Sequence, residues 1–275
     1  MAISDVLVHL KSHESWSPHI DYSIGIAKVF NARLRAMVTF AGAEMMRSYS
    51  RIPDELVVEQ ILRESKVAAK LEEKFTAACG AAGVKGIFTT AEGPAGEIIP
   101  WAARLHDLTI IEQRDPTQDE LGYDVAEETA LSGGRPVLVV PRKGRFSSNP
   151  RHILVAWNGS QQSAAAVQGA IAFIERAKKV TVCSGAPRQA LRGSVRVPEI
   201  DIVSHLRNHV KKVDHEVVDV GDAHVGEYLL SRCNELDCGM IVMGAYGRSR
   251  FSEIILGGAT RYIFGHMTAP ILMGS

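Results

Sequence analysis

The chain has 275 residues, enough for two domains of ordinary size, and its 46% apolar and 23% charged content is that of a globular protein. The 31 basic and 31 acidic residues cancel, which leaves no electrostatic argument for a nucleic-acid or membrane-surface partner. No apolar stretch approaches the roughly 20 residues that cross a bilayer, and the N-terminus runs into a strand pattern with no basic or cleavable leader, so a cytoplasmic location is expected.

In chain order the pattern reads twice. An opening strand, Asp5 to Leu10, is followed by a polar loop and a helix through Ile20, Ile24 and Ala27. A strand near Leu34 to Phe40, a long helix from about Pro53 to Ala82 and a strand near Gly86 to Thr90 come next. A helix over Gly96 to Leu105, a strand at Leu108 to Glu112, a closing helix and a Pro-led strand, Pro136 to Val140, complete the first copy. The second copy repeats the order. Its strands fall at His152 to Trp157, Val180 to Cys183, His215 to Val220, Met240 to Met243 and Pro270 to Met273. Its helices are expected through Ala164, Val167, Ile171 and Ile174, from about Pro198 to Lys212, and over Val225 to Leu236. Alternating apolar strands and helices predict an α/β fold with two tandem, doubly wound, parallel five-stranded sheets. The polar connector Arg142 to Pro150 sets the boundary, giving domains 1–143 and 150–275.

Residues 239 to 260 carry the strongest functional signal. An apolar run ends in Gly244, Gly247 follows, and a helical pattern opens near Gly257 with Gly258, Ala259 and Thr260. Glycines after a parallel strand let backbone N–H groups converge on an anion, and a helix N-terminus adds its positive dipole end. The ligand class implied is a phosphate-bearing nucleotide. Met243, Gly244, Tyr246 and Gly247 form the loop beneath the phosphates on this reading, and Arg248 and Arg250 are either further phosphate partners or a solvated loop.

The spacing Gly244-x2-Gly247-x9-Gly257, followed by small and hydroxyl residues, resembles the nucleotide-binding motif of the universal stress protein family, and the whole chain resembles a tandem member of it. The resemblance implies a Rossmann-like, adenine-nucleotide-binding fold of strand order 3-2-1-4-5. It implies ATP or ADP as ligand, with or without Mg. Pairing of family members through their last strands implies an intramolecular pseudo-dimer here and leaves a further homodimer open. It also places adenine against the backbone near Val182 and Cys183, distal phosphates at Gly257 to Thr260, and Ala156 and Asn158 in the loop beside the ribose or base. Asn158 stands where the family carries an aspartate, and Gly258 where it often has Ser or Thr, so one carboxylate and one hydroxyl are missing.

The amino half lacks these features. Lys11 stands at the place of Asn158, and the fourth strand leads into Glu112-Gln-Arg-Asp-Pro, without the loop glycines. This half is read as degenerate for nucleotide. No nucleophile elbow, Walker loop or metalloprotease helix is present, and no base stands beside the expected ligand. His205, His209 and His215 are read as surface or packing residues. Four scattered cysteines read as buried thiols, with a Cys233–Cys238 redox pair as the lesser alternative. The favoured function is a nucleotide-binding stress-response protein that acts by ligand-linked regulation. The alternatives are a weak ATP-hydrolysing enzyme and a ligand-free interaction scaffold.

Overall fold

The computed structural model describes residues 2–11, 16–40, 53–115, 125–185, 201–218, 225–245 and 258–274. The elements alternate along the chain. They are β1 (Asp5–Leu10), α1 (Pro18–Phe30), β2 (Arg33–Phe40), α2 (Asp54–Ala82), β3 (Gly86–Glu92), α3 (Ala95–Ala103), β4 (Leu108–Glu112), α4 (Val125–Ser132) and β5 (Val137–Val140). They continue with β6 (His152–Trp157), α5 (Gln161–Ile174), β7 (Lys179–Gly185), α6 (Ile202–Arg207), β8 (Val213–Val218), α7 (Val225–Glu235), β9 (Met240–Gly244), α8 (Gly258–His266) and β10 (Ile271–Gly274).

The chain divides into two compact units, Ala2–Arg135 and Pro136–Ser275. In the first, β3-β2-β1-β4 pair in parallel. In the second, β8-β7-β6-β9-β10 pair in parallel, and β5 joins β10 antiparallel with Leu138 opposite Leu272. This is the doubly wound α/β fold of strand order 3-2-1-4-5 that the alternation and the resemblance lead one to expect. The closing strand of the first sequence repeat thus lies in the second compact unit.

Every residue of β4, β5 and β10 is buried, whereas β3 and β8 hold only part-exposed and exposed residues. One helix falls short of its expected length. The described part of the 198–212 segment has only α6, and Val210 folds back onto the Leu206 carbonyl (3.0 Å). Val213, two residues ahead of the expected strand start, pairs in register with Val180.

Helix α5 lies unusually close to the sheet. A Cβ on Gly244 would fall 2.7 Å from the Ser163 nitrogen, one on Gly274 2.3 Å from the Ala166 nitrogen, and one on Gly169 of the helix itself 2.5 Å from Pro136 Cγ. Missing side chains at these three contacts let the helix run across β9, β10 and the start of β5.

Three helices end in the same backbone hook. Asn31 (φ 52°), Gly83 (φ 71°) and Asp237 (φ 51°) take the left-handed conformation, and the next N–H reaches back five residues, Ala32 to Ala27, Val84 to Cys79 and Cys238 to Cys233. An apolar contact across such a hook is its usual companion. At α7 that contact is made by Cys233 and Cys238, with the Cys233 thiol donating to the Cys238 carbonyl (3.4 Å). All four cysteines are buried and free. Burial pushes the Cys79 thiol up to about 11 and Cys183 to about 12, and contact with Cys233 raises Cys238 further. Cys79, Cys183 and Cys238 therefore stay protonated, and all four side chains pack as small apolar groups.

His152 ties three segments together. The Leu236 carbonyl can only accept, so Nδ1–H donates to it (3.0 Å), and Nε2 accepts from the Thr181 hydroxyl (2.8 Å). Burial holds this imidazole below its ordinary 6.5. The unfolded chain therefore binds the proton more readily, so the stabilisation is present above about pH 6.5 and is lost as pH falls through the lowered folded value. Thermal midpoints measured between pH 7.5 and 5 should drop on the acid side, and less steeply in His152→Gln; parallel slopes would remove this account. Thr109, wholly buried with no partner for its hydroxyl among the described residues, gives the opposite test. Thr109→Val should gain about 1 kcal/mol in denaturant unfolding, whereas Gly274→Ala should lose about 1–3 kcal/mol by overpacking α5.

Candidate functional site

In the second unit β6 lies between β7 and β9. Connections leave β6 and β9 toward opposite sides of the sheet, which opens a crevice beyond their carboxyl ends. Met243, Ala156 and Cys183 sit in one register row across β9, β6 and β7 at that edge, and Gly244 follows beside Gly274 of β10. Gly258, Ala259 and Thr260 begin α8, the crossover helix between the parallel strands β9 and β10, so they start toward the carboxyl end of the strands. Tyr246, Gly247 and Gly257, with Arg248 and Arg250, lie outside the described residues.

The turn after β6 shapes the near wall. Gly159 takes φ 71°, Asn158 Oδ1 accepts from the Ser160 N–H (3.0 Å), and Ser160 caps α5 by accepting from the Ser163 N–H (3.1 Å). Asn158 is exposed, and its oxygen is used within the turn. What it offers a ligand is its NH2 group, a donor. The sequence carried this signal in Asn-Gly-Ser ahead of an apolar-periodic run.

Main chain is also what the row behind the turn presents. Cys183 is buried, and its thiol points 4.0 Å from Glu216 Oε2. Met243 is buried. Gly244 has no room for a side chain because the first turn of α5 fills the space, so its absent Cβ serves packing. Thr260 is buried at 4% exposure, and Ala259 is part-exposed.

Behind Cys183 stands a polar clamp that the linear sequence does not disclose. Arg232 of α7 grips Glu216 of β8 through both oxygens (2.8 and 2.6 Å) and reaches Glu235 (2.7 Å). Its guanidinium holds the Glu216 carboxyl below the usual range. The three histidines separate: His205 of α6 and His209, just past its end, meet edge to face, and His215 Nε2 lies 2.8 Å from Ser184 Oγ. Among the described residues no group of His, Cys, Asp or Glu is arranged to hold a metal.

The corresponding place in the first unit, at the carboxyl ends of β1 and β4, is built differently. Ser17 caps α1 in position and donates to Glu112 Oε1, and His19 Nδ1 lies 2.9 Å from the Ser17 oxygen and 3.4 Å from that carboxylate. His19 Nε2–H donates to the His9 carbonyl (3.0 Å), and Lys11 Nζ is 3.9 Å from Glu112 Oε2. Glu112 is 6% exposed and His19 2%. A carboxylate of the chain itself thus stands where an anionic ligand would approach the helix N-terminus, which repels a second anion. Of this cluster the sequence reading named Lys11 and Glu112. It missed Ser17 and His19, whose approach to Glu112 spans about 95 residues.

Comparison with known proteins agrees with this architecture. Residues 149–273 match the model of the universal stress protein family. The fold is similar to that of a universal stress protein from Archaeoglobus fulgidus DSM 4304, at TM-score 0.68 and 15% identity, covering 97% of this chain and 94% of that one. It is also similar to a putative universal stress protein from Pseudomonas aeruginosa UCBPP-PA14, at TM-score 0.56 and 16% identity, covering 98% and 92%. No curated protein matches the chain. Through residues 149–273 the chain is similar to the universal stress protein family.

Proposed function

We propose that this is a cytoplasmic, tandem universal stress protein that binds one adenine nucleotide, ATP or ADP, in its carboxyl domain (150–275) and acts through ligand-linked regulation of a stress response. The observation that carries the reading is the register row Met243–Ala156–Cys183 at the switch point, walled by the Asn158–Ser160 turn and by the start of α8. Adenine lies against the backbone at Cys183, the sugar beside Ala156 and the Asn158 NH2, and the phosphates over Met243, Gly244, Tyr246 and Gly247, reaching Gly257, Gly258, Ala259 and Thr260. An accompanying Mg ion is held chiefly by the phosphates, since Asn158 supplies an amide in place of a carboxylate.

Regulation fits better than catalysis for a chemical reason. Among the described residues no general base is placed at the row: Asn158 cannot take a proton and the Cys183 thiol is pushed up to about 12. The amino domain (1–143) is closed to the same ligand by the Glu112 cluster.

Mass spectrometry of the supernatant after denaturing purified protein should find about one adenine nucleotide per chain, or titration of stripped protein should restore that ratio. Gly247→Val or Gly257→Val should abolish retention, and Lys11→Ala should leave it unchanged per folded chain. Phosphate release that disappears in Gly247→Val would instead establish the ATP-hydrolysing alternative, and absence of any nucleotide would establish the scaffold.

A further inference from the structure

The carboxyl edge of the second sheet carries one row beyond Met243, Ala156 and Cys183. Gly244, Trp157 and Ser184 follow those residues along their strands, and Trp157 pairs in register with Ser184. Alternation along a strand turns this outer row to the opposite face of the sheet. A Cβ on Gly244 would meet Ser163 and Gln162, so that face is the one α5 covers. Cys183 and Glu216 lie on the other face, with Arg232 of α7.

The first turn of α5 fills the space over Gly244, whereas Trp157 and Ser184 remain part-exposed. Among the described residues the Trp157 indole has no hydrogen-bond or ring partner. Ser184 Oγ lies 2.8 Å from Nε2 of His215, which is exposed on β8. The Asn158 turn follows directly on Trp157 and ties the row to the wall of the crevice. At the rim there is thus an aromatic plane with a hydroxyl beside it.

We propose that this ledge reads the base of the nucleotide and selects adenine over guanine, an inference that rests on the nucleotide site proposed above. Trp157 gives the base a face to stack on, which either purine can use. Discrimination falls to Ser184. With His215 in its Nδ1–H form, the Ser184 hydroxyl donates to Nε2 and keeps its oxygen lone pairs for the ligand. Adenine brings an amino group that donates to that oxygen. Guanine sets a carbonyl oxygen at the same place, and two facing acceptors make no hydrogen bond. His215 is a positioning residue: without it the hydroxyl turns freely and serves either base.

Titration of the stripped full chain with ADP and with GDP, followed by calorimetry and by tryptophan emission, tests this. Wild type should bind ADP about tenfold tighter than GDP and change its emission on binding. Ser184→Ala and His215→Ala should bring the two affinities together, whereas Ser184→Thr, which keeps the hydroxyl, should hold them apart. Trp157→Leu should weaken both nucleotides about tenfold and abolish the emission change, although Trp16 and Trp101 remain. Circular dichroism and melting of each variant should match wild type, which separates loss of base reading from loss of fold. Equal wild-type affinities, a preference unmoved by Ser184→Ala, or an emission change that survives Trp157→Leu each overturns the ledge and leaves the nucleotide site standing. Failure of both nucleotides to bind wild type overturns the site and the ledge together.

Discussion

The second unit depends on how closely one helix can approach its sheet. Helix α5 crosses β9 and β10 at a distance that leaves no space for a Cβ on Gly244 or Gly274. That approach does more than fill a core. It brings the capped first turn of α5, Ser160 to Ser163, down onto the end of β9, so the β6 turn and the β9 terminus share one wall. A methyl group at either glycine would lift the helix, and the register row at the sheet edge would lose its neighbouring N-terminus. Packing and site are therefore one constraint in this unit.

The two units show what the same topology does with different residues at one place. At the end of β1 and β4 the sequence supplies Lys11 and Glu112, and the chain closes the crevice with its own ion pair and hydrogen bonds. At the end of β6 it supplies Ala156, Asn158 and Gly159, small or neutral groups that use one another only for the turn. Among the described residues the β6 turn brings no charged group to that place, whereas the end of β4 already holds a carboxylate. Helix length separates the units as well. Six residues suffice for α6, whereas α2 runs to 29, and its first described turns are exposed apart from Val57.

Much was legible in the sequence because its signals are local. Apolar strands that must be covered on both faces read as short unbroken runs, so β1, β4 and β6 have their expected limits and most others differ by a residue or two. The repeat order, the two Pro-led closing strands and the glycine at the end of β9 were visible in the same way, whereas the antiparallel pairing of those two strands was not.

What only the tertiary structure decided are the contacts between residues far apart in the chain. Cys233 and Cys238 read as either a redox pair or independent thiols until the left-handed Asp237 placed them across a helix-ending hook. The grip of Arg232 on Glu216, the Ser17–His19–Glu112 cluster and the reason for Gly274 each require a neighbour that no spacing rule supplies. Sequence alone determined the order of the elements and the chemical class of ligand to expect, since periodicity and backbone permissiveness are properties of short segments. Which crevice is filled and which sulfurs and charges meet is settled by three-dimensional packing, because those energies depend on distances that exist only in the folded chain.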